Sequence, residues 1–299
     1  MLEKFINHLF YQYYVDEQTI RSEYIERPDD QIDILCSYTT RKESFLDILL
    51  SKAVLSSEET KRLLGKVKTH RGSSMTHGGG ESLFNANHEI SFSTGFVSFK
   101  YSDPSIRMRE DYIGGLGVFV PLDTILEHPY LGFSHCSSKG GIKDYKLNKD
   151  NIRAAVHQTR RAGELYDNGY GNLFEVGMWP EFDENESSGL FKKVITHPRL
   201  TLSGDVVMAI PENERKSIAT DVHRRQEEYA KFLDKVRGED PEQLKWKSID
   251  GRDLYHLEEA ISFMEKMLEP LKIDELPIVW YPQRNLDIAL QRLAISQND

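Results

Sequence analysis

The chain has 299 residues, of which 39% are hydrophobic and 10% aromatic, enough to close a core and to exclude intrinsic disorder as the main state. Its 38 basic and 48 acidic residues give a net charge of −10 at pH 7, and no basic stripe that could follow a phosphate backbone is present. The sequence therefore argues against a nucleic-acid-binding surface, and its length allows one large domain or two small ones.

The sequence gives no sign of membrane insertion or of an oxidising compartment. No run reaches the ~18 apolar residues of a membrane span, and residues 1–14 are broken by charge and lack a signal-peptide cleavage site. The two cysteines, Cys36 and Cys136, are too few for a disulfide framework. We therefore expect no membrane span, and a protein that is cytoplasmic or is delivered into another cell's cytosol without a classical signal peptide.

The N-terminal part predicts a helix, a strand and a second helix in succession. Residues 1–14 are typical of an amphipathic helix, and residues 32–38 are typical of a strand. A capping box, Thr40 followed by Glu43, precedes an apolar run that includes Phe45. An α-helix is therefore expected directly after the first strand.

The distribution of glycine sets the centre of the chain apart. None of the 20 glycines precedes Gly65, and 17 of them lie between Gly65 and Gly189. Because glycine favours turns and weakens helix interiors, this distribution predicts strands and loops. The acidic run 181–186 is expected to be an exposed loop. Strands are predicted over residues 89–92, 96–101, 115–120, 172–179, 191–196 and 206–210.

The C-terminal part predicts helices. Residues 212–237 are typical of a long charged helix, and residues 238–241 form the best candidate for a linker. A final amphipathic helix is predicted over residues 286–295. Between them, residues 253–269 carry a helical apolar stripe that we expect to be buried, formed by Leu254, Leu257, Ile261, Met264 and Leu268.

These elements predict an α+β fold: a central mixed or antiparallel sheet with flanking helices and a helical C-terminal appendage. We expect an α+β domain over residues 1–211, with a helical region over residues 212–299 packed on it. The order of elements differs from the strand–helix alternation of nucleotide-binding parallel sheets. Neither GxGxxG nor GxxxxGK[ST] occurs, which argues against Rossmann and P-loop chemistry.

Three groups of residues could carry chemistry. Ser91, Ser93 and Thr94 place hydroxyls at the end of a predicted strand, where they could bind a ribose or an amide, or simply form a β-turn. Glu175 is a carboxylate within an otherwise apolar strand, so it is either a functional group or an edge residue that faces solvent. Arg71, beside a glycine, could bind a phosphate or be a solvated loop residue.

Several segments between residues 30 and 211 resemble ADP-ribosyltransferase-like toxin and effector domains. Cys36-Ser37-Tyr38-Thr39-Thr40 and the helix after it look like their first strand and helix. Ser91-Phe92-Ser93-Thr94 resembles their Ser-Thr-Ser strand, and Leu173-Phe174-Glu175-Val176 resembles the strand of their catalytic glutamate. Residues 194–200 and 206–211 look like their closing strands. The family carries Arg or His where Ser37 stands here, so Arg71 or Arg41 would have to take that role.

The resemblance implies an enzyme that uses NAD as a substrate and transfers ADP-ribose to a protein acceptor, or hydrolyses NAD, without a metal. Glu175 would be the catalytic residue, because a carboxylate stabilises the positive charge that develops as the nicotinamide–ribose bond breaks. The residues that would bind NAD are Tyr38, Thr39, Arg71, Ser91, Ser93 and Thr94.

Two other classes of function stay open on the sequence alone. A non-enzymatic protein-interaction module would use the charged helix 212–237 and the aromatic side chains near Trp246 and Trp280. A cysteine hydrolase would use Cys36 or Cys136 with a distant histidine as its base. No zinc site is predicted, because neither HExxH nor CxxC accompanies the candidate histidines, which are His70, His77 and His88.

Overall fold

The computed structural model of the chain describes residues 26–31, 34–40, 42–64, 89–94, 116–134, 148–162, 175–188, 191–238 and 257–281. Within these ranges the strands are β1 (Leu35–Thr40), β2 (Ala53–Leu55), β3 (Ile90–Ser93), β4 (Leu116–Pro121), β5 (Leu131–Ser134), β6 (Glu175–Met178), β7 (Glu181–Ser188), β8 (Phe191–Thr196), β9 (Arg199–Thr201), β10 (Val207–Pro211) and β11 (Ile278–Tyr281). The helices in the same ranges are α1 (Lys42–Ser51), α2 (Ser57–Leu64), α3 (Leu122–Leu126), α4 (Lys149–Arg161), α5 (Arg215–Gly238) and α6 (Leu257–Met267). No helix among them is long and apolar enough to cross a membrane.

The central sheet joins strands from both ends of the described chain. Its strands lie in the order β11-β10-β4-β1-β3-β6-β5. β10 and β11 are parallel, and the other neighbouring pairs are antiparallel. Two smaller ribbons pair β2 with β9 and β7 with β8. The predicted α+β fold with a mixed central sheet is therefore confirmed.

One face of the central sheet packs into the main hydrophobic core. Successive side chains of a strand point to opposite faces, so every second residue of each strand contributes to this core. From the strands these include Cys36, Phe92, Val118, Val176 and Met208. The helices contribute to the same core Phe45 and Leu49 from α1, Ile152 and Val156 from α4, and Ile218 and Leu233 from α5.

The segment beyond residue 211 contributes to both the sheet and the core. α5 packs on α1, α6 packs on α2, and β11 extends the sheet beside β10. In the predicted stripe of α6, Met264 is fully buried and Ile261 is half-buried. Leu254 and the side chain of Leu257 lie outside the described residues. The C-terminal region thus holds a strand as well as helices, and the domain boundary at residue 211 stays a prediction.

The sequence predicted six of the seven proposed strands to within three residues of their observed ends. The remaining strand, over residues 96–101, and the helices over 1–14 and 286–295 lie outside the described residues. The loop expected over residues 181–186 is wrong, because this segment belongs to β7, whose two ends pair with β8. Pairing between the two strands of a hairpin outweighs the low strand propensity of Asp and Glu there.

Candidate functional site

Glu175, the predicted catalytic residue, lies at the start of β6 between two serine positions. It is the register partner of Ser93 in β3 and of Ser134 in β5, and Ser93 is in turn the partner of Ser37 in β1. Partners in neighbouring antiparallel strands share one face of the sheet, with Cβ atoms about 4.5–5.5 Å apart. The four positions therefore form one row across four adjacent strands, in which the Glu175 side chain is half-buried. We call this set the serine–glutamate row.

The serine–glutamate row lies on the face of the sheet opposite to the main core. Val176, the neighbour of Glu175 in β6, points into the core, so Glu175 points away from it. On this second face the next row along the strands consists of Ser91, Gly177 and Gly132. Glycines in a strand mark places where another group approaches the sheet backbone closely.

Trp179 is the group that approaches these glycines. A Cβ atom placed on Gly132 would lie 1.8 Å from the indole Nε1, and one on Gly177 would lie 3.1 Å from it. The backbone N–H of Trp179 donates to the Tyr130 carbonyl at 3.0 Å. The indole therefore fills the space above both glycines and bounds the second face beside the serine–glutamate row.

His128 forms a hydrogen bond with the backbone carbonyl of Trp179. Its Nε2 lies 3.0 Å from the Trp179 carbonyl oxygen, and since a carbonyl only accepts, Nε2 carries the hydrogen. Burial lowers the pKa of His128, and the hydrogen bond to Trp179 only partly offsets this effect. The lowered pKa favours the neutral imidazole of His128, and this ring anchors the backbone of Trp179.

Glu89 is a residue of this face that the sequence interpretation did not include. Its side chain is only 6% exposed, and its Oε1 accepts a hydrogen bond of 2.6 Å from the Ser91 hydroxyl. Its Oε2 lies 3.7 Å from the position of a Cβ atom on Gly177. The alternation of polar and apolar residues in Glu89-Ile90-Ser91-Phe92-Ser93 is the signal that would have placed Glu89 with the two serines.

The structure does not bring every predicted NAD-binding residue to Glu175. Tyr38 lies on the core face of β1, where its ring is 6.1 Å from that of Phe92 and burial raises its pKa to about 12. Thr39 is the partner of Gly117, two positions along β1 from Ser37. Thr94 directly follows β3 and is buried. Arg71 lies outside the described residues.

The serine–glutamate row suits a reaction that develops positive charge. A half-buried carboxylate stabilises a nearby cation more strongly than a solvated one does, because less water screens the interaction. Hydroxyl-bearing residues can orient a sugar or an amide by hydrogen bonding. On geometry alone, the row could therefore bind a polar ligand and stabilise a cationic centre within it.

The described part of the chain contains one cysteine, Cys36. The Cys36 side chain is fully buried, and burial raises the pKa of its thiol above the usual range, which disfavours the reactive thiolate. Cys136, His70, His77 and His88 lie outside the described residues. Within those residues, no group of three or more His, Cys, Asp and Glu side chains could hold a metal ion.

No family model, curated protein or solved structure matches the chain.

Proposed function

We propose that the chain is an enzyme that breaks the nicotinamide–ribose bond of NAD and transfers ADP-ribose to a protein acceptor or to water. Glu175 is its catalytic carboxylate. The observation that carries the proposal is the serine–glutamate row. Ser37, Ser93 and Glu175 come from three segments that resemble ADP-ribosyltransferase-like domains, and these distant segments lie level with one another in adjacent strands.

The reaction explains why a carboxylate would be needed in this row. As the C–N bond breaks, its electron pair leaves with nicotinamide and the ribose becomes an oxocarbenium-like cation. The acceptor or water then forms the new bond to C1′ and releases a proton. Glu175 stabilises the developing positive charge, and the neighbouring serines orient the ribose so that little motion is needed during bond cleavage.

Fewer observations support the two alternatives, which are a cysteine hydrolase and a non-enzymatic interaction module. Burial of Cys36 in the main core disfavours a cysteine hydrolase that uses this residue. A non-enzymatic interaction module does not require hydroxyl and carboxylate positions to share one row. It predicts that the purified chain neither binds NAD nor releases nicotinamide, and the following experiment separates it from the enzyme.

Glu175→Gln tests the proposal directly. This change keeps the size and hydrogen-bonding capacity of the side chain but removes its charge, so NAD affinity and folding should be nearly unchanged. The rate of nicotinamide release and of protein labelling by radiolabelled NAD should fall about 10²–10³-fold. Glu181→Gln is the matched control, because Glu181 is also a half-buried strand residue but lies in the β7–β8 ribbon. Full activity of Glu175→Gln would rule out the proposed mechanism.

Substitutions of Ser93 and Cys36 separate binding from the cysteine alternative. Ser93→Ala should raise the Kd for NAD measured by calorimetry, since Ser93 is the partner of Glu175 in the row. Cys36→Ala should leave the rate of nicotinamide release close to that of the parent chain. Loss of all activity in Cys136→Ala alone would instead favour a cysteine nucleophile.

A further inference from the structure

We infer that Glu89 is a positioning residue that fixes the direction of the Ser91 hydroxyl, so that Ser91 accepts a hydrogen bond from the bound dinucleotide. The inference rests on the proposed function and adds a rule of ligand recognition to it. The group bound at Ser91 must be a hydrogen-bond donor, either the amide N–H of nicotinamide or a hydroxyl of its ribose. Where the amide is that donor, a carboxylate in its place would be rejected.

The contact between Glu89 and Ser91 is the first support. The Ser91 hydroxyl donates to Glu89 Oε1 over 2.6 Å, a short distance typical of a bond to a carboxylate. A serine hydroxyl has one hydrogen and two acceptor lone pairs. Once its hydrogen is directed to Glu89, the hydroxyl can form further hydrogen bonds only as an acceptor.

The position of Ser91 is the second support. It lies on the same face as Ser93 and two residues away from it in β3, so it is about 7 Å along the strand from the serine–glutamate row. Trp179 closes the space above Gly177, the register partner of Ser91. Ser91 and the indole therefore lie at the same level, two residues along the strands from Glu175, so a ligand centred on Glu175 that extends along β3 would meet the half-buried Ser91.

The burial of Glu89 makes the direction of this hydroxyl resistant to reversal. Turning the hydroxyl hydrogen towards a ligand would remove a hydrogen bond from a carboxyl group that is only 6% exposed. Losing a partner at a buried acceptor is more costly than losing a hydrogen bond that water can replace. A carboxylate on the ligand has no hydrogen to donate and would face the lone pairs of Ser91, so hydrogen bonding opposes it.

Calorimetry on the intact chain tests this rule with three dinucleotides. They are NAD, the analogue with nicotinic acid in place of nicotinamide, and the analogue without the 2′-hydroxyl of the nicotinamide ribose. We expect NAD to bind at least about 10-fold more tightly than the acid analogue if the amide is the donor, or than the deoxy analogue if the ribose is the donor. Ser91→Ala should abolish that preference, whereas Ser91→Thr, which keeps a hydroxyl, should retain it.

A double-mutant cycle then separates positioning from a merely structural role. Glu89→Gln can donate an N–H to Ser91 and so release its hydrogen, and should weaken NAD binding about 3–10-fold when Ser91 is present. In the Ser91→Ala background the same change should alter the Kd less than about 2-fold. Thermal unfolding of each variant identifies any that fail to fold, and Ser91→Thr provides a second folded comparison.

Two further outcomes distinguish this inference from the proposed function. If Glu89→Gln weakens NAD binding equally with and without the Ser91 hydroxyl, or if Ser91→Ala leaves the preference intact, the inference is wrong although NAD turnover stands. If no dinucleotide binds the parent chain, the proposed function is wrong and the inference is overturned with it.

Discussion

Asp47 in α1 is a buried carboxylate with three hydrogen-bond donors around it. Arg225 of α5 donates from Nε and Nη2 at 2.8 and 3.0 Å, and the Tyr229 hydroxyl donates at 2.7 Å. Burial, together with the adjacent Asp47 carboxylate, raises the pKa of Tyr229, so its hydroxyl stays a donor. This group of side chains joins α5 to α1 inside the core.

Removing the charge of Asp47 should therefore destabilise the protein strongly. Asp47→Asn leaves the guanidinium of Arg225, which is 4% exposed, without its buried counter-charge, and should lower the free energy of unfolding by about 3–5 kcal/mol. Asp123→Asn is the control, since the Asp123–Arg153 pair is exposed and should change this free energy by less than about 1 kcal/mol. Urea unfolding measures both values, and equal effects would contradict the buried-pair interpretation.

His128 should make stability depend on pH. Its pKa is lowered in the folded chain by burial, whereas in the unfolded chain it is near 6.5. Below about pH 6.5 the unfolded state therefore binds a proton that the folded state resists, and the free energy of unfolding falls as the pH falls.

His128→Gln tests this dependence, because glutamine can still donate to the Trp179 carbonyl but does not titrate. The decrease in thermal midpoint between pH 7.5 and pH 5.5 should be smaller in His128→Gln than in the parent chain. His223→Gln, at a largely exposed position of α5, is the control for the loss of one histidine. An unaltered pH dependence in His128→Gln would show that this ring is not a source of the effect.

At the scale of elements, β5 and β6 are adapted to the indole of Trp179. Because a Cβ atom on Gly132 would lie 1.8 Å from Nε1, Gly132→Ala must displace a ring that is only 2% exposed. Overpacking of this kind typically destabilises a protein by about 1–3 kcal/mol. The displacement should also change the tryptophan fluorescence of the folded protein.

Gly204 provides the matched control for this substitution. A Cβ atom there would meet nothing within 4 Å, so Gly204→Ala should leave both stability and fluorescence almost unchanged. If Gly132→Ala is as stable as Gly204→Ala in chemical unfolding followed by fluorescence, the close packing of Trp179 against β5 is wrong.

At the scale of the whole molecule, the helices beyond residue 211 complete the core that the first part of the chain begins. α5 supplies Arg225 and Tyr229 to Asp47, and β11 hydrogen-bonds to β10. Arg62 of α2 also donates to Glu259 of α6 at 2.7 Å. Without these elements, α1 would expose its apolar side chains and Asp47 would lose its buried partners.

A chain ending at residue 211 should consequently fail to fold cooperatively. We expect its circular dichroism to show a broad, non-cooperative thermal transition, where the full chain shows a sharp one. A sharp unfolding transition of the 1–211 fragment would instead establish it as an independent domain, in agreement with the boundary that the sequence predicts.

Local patterns allowed part of the candidate site to be predicted. Glu175 was identified because a carboxylate interrupts an apolar strand, and Ser93 because hydroxyls cluster at the end of another strand; such patterns depend only on neighbouring residues. Ser134 and Glu89 were missed for different reasons. Ser134 lies in β5, where no strand was predicted, and Glu89 was taken only as the first residue of a strand. The prediction of a loop over residues 181–186 failed because it rested on the acidic composition of that segment and did not consider the adjacent strand β8, with which β7 pairs.

The sequence by itself determined the α+β class, the extents of most central strands and which of them carry hydroxyls or a carboxylate. These properties follow from side-chain spacing and from glycine placement, which act over a few residues. Only the tertiary structure decided that β1, β3, β6 and β5 are neighbours and that Ser37, Ser93, Glu175 and Ser134 share one row. Strand order and register depend on which apolar faces are buried together across the whole chain, because a slip of one residue would turn Glu175 into the core.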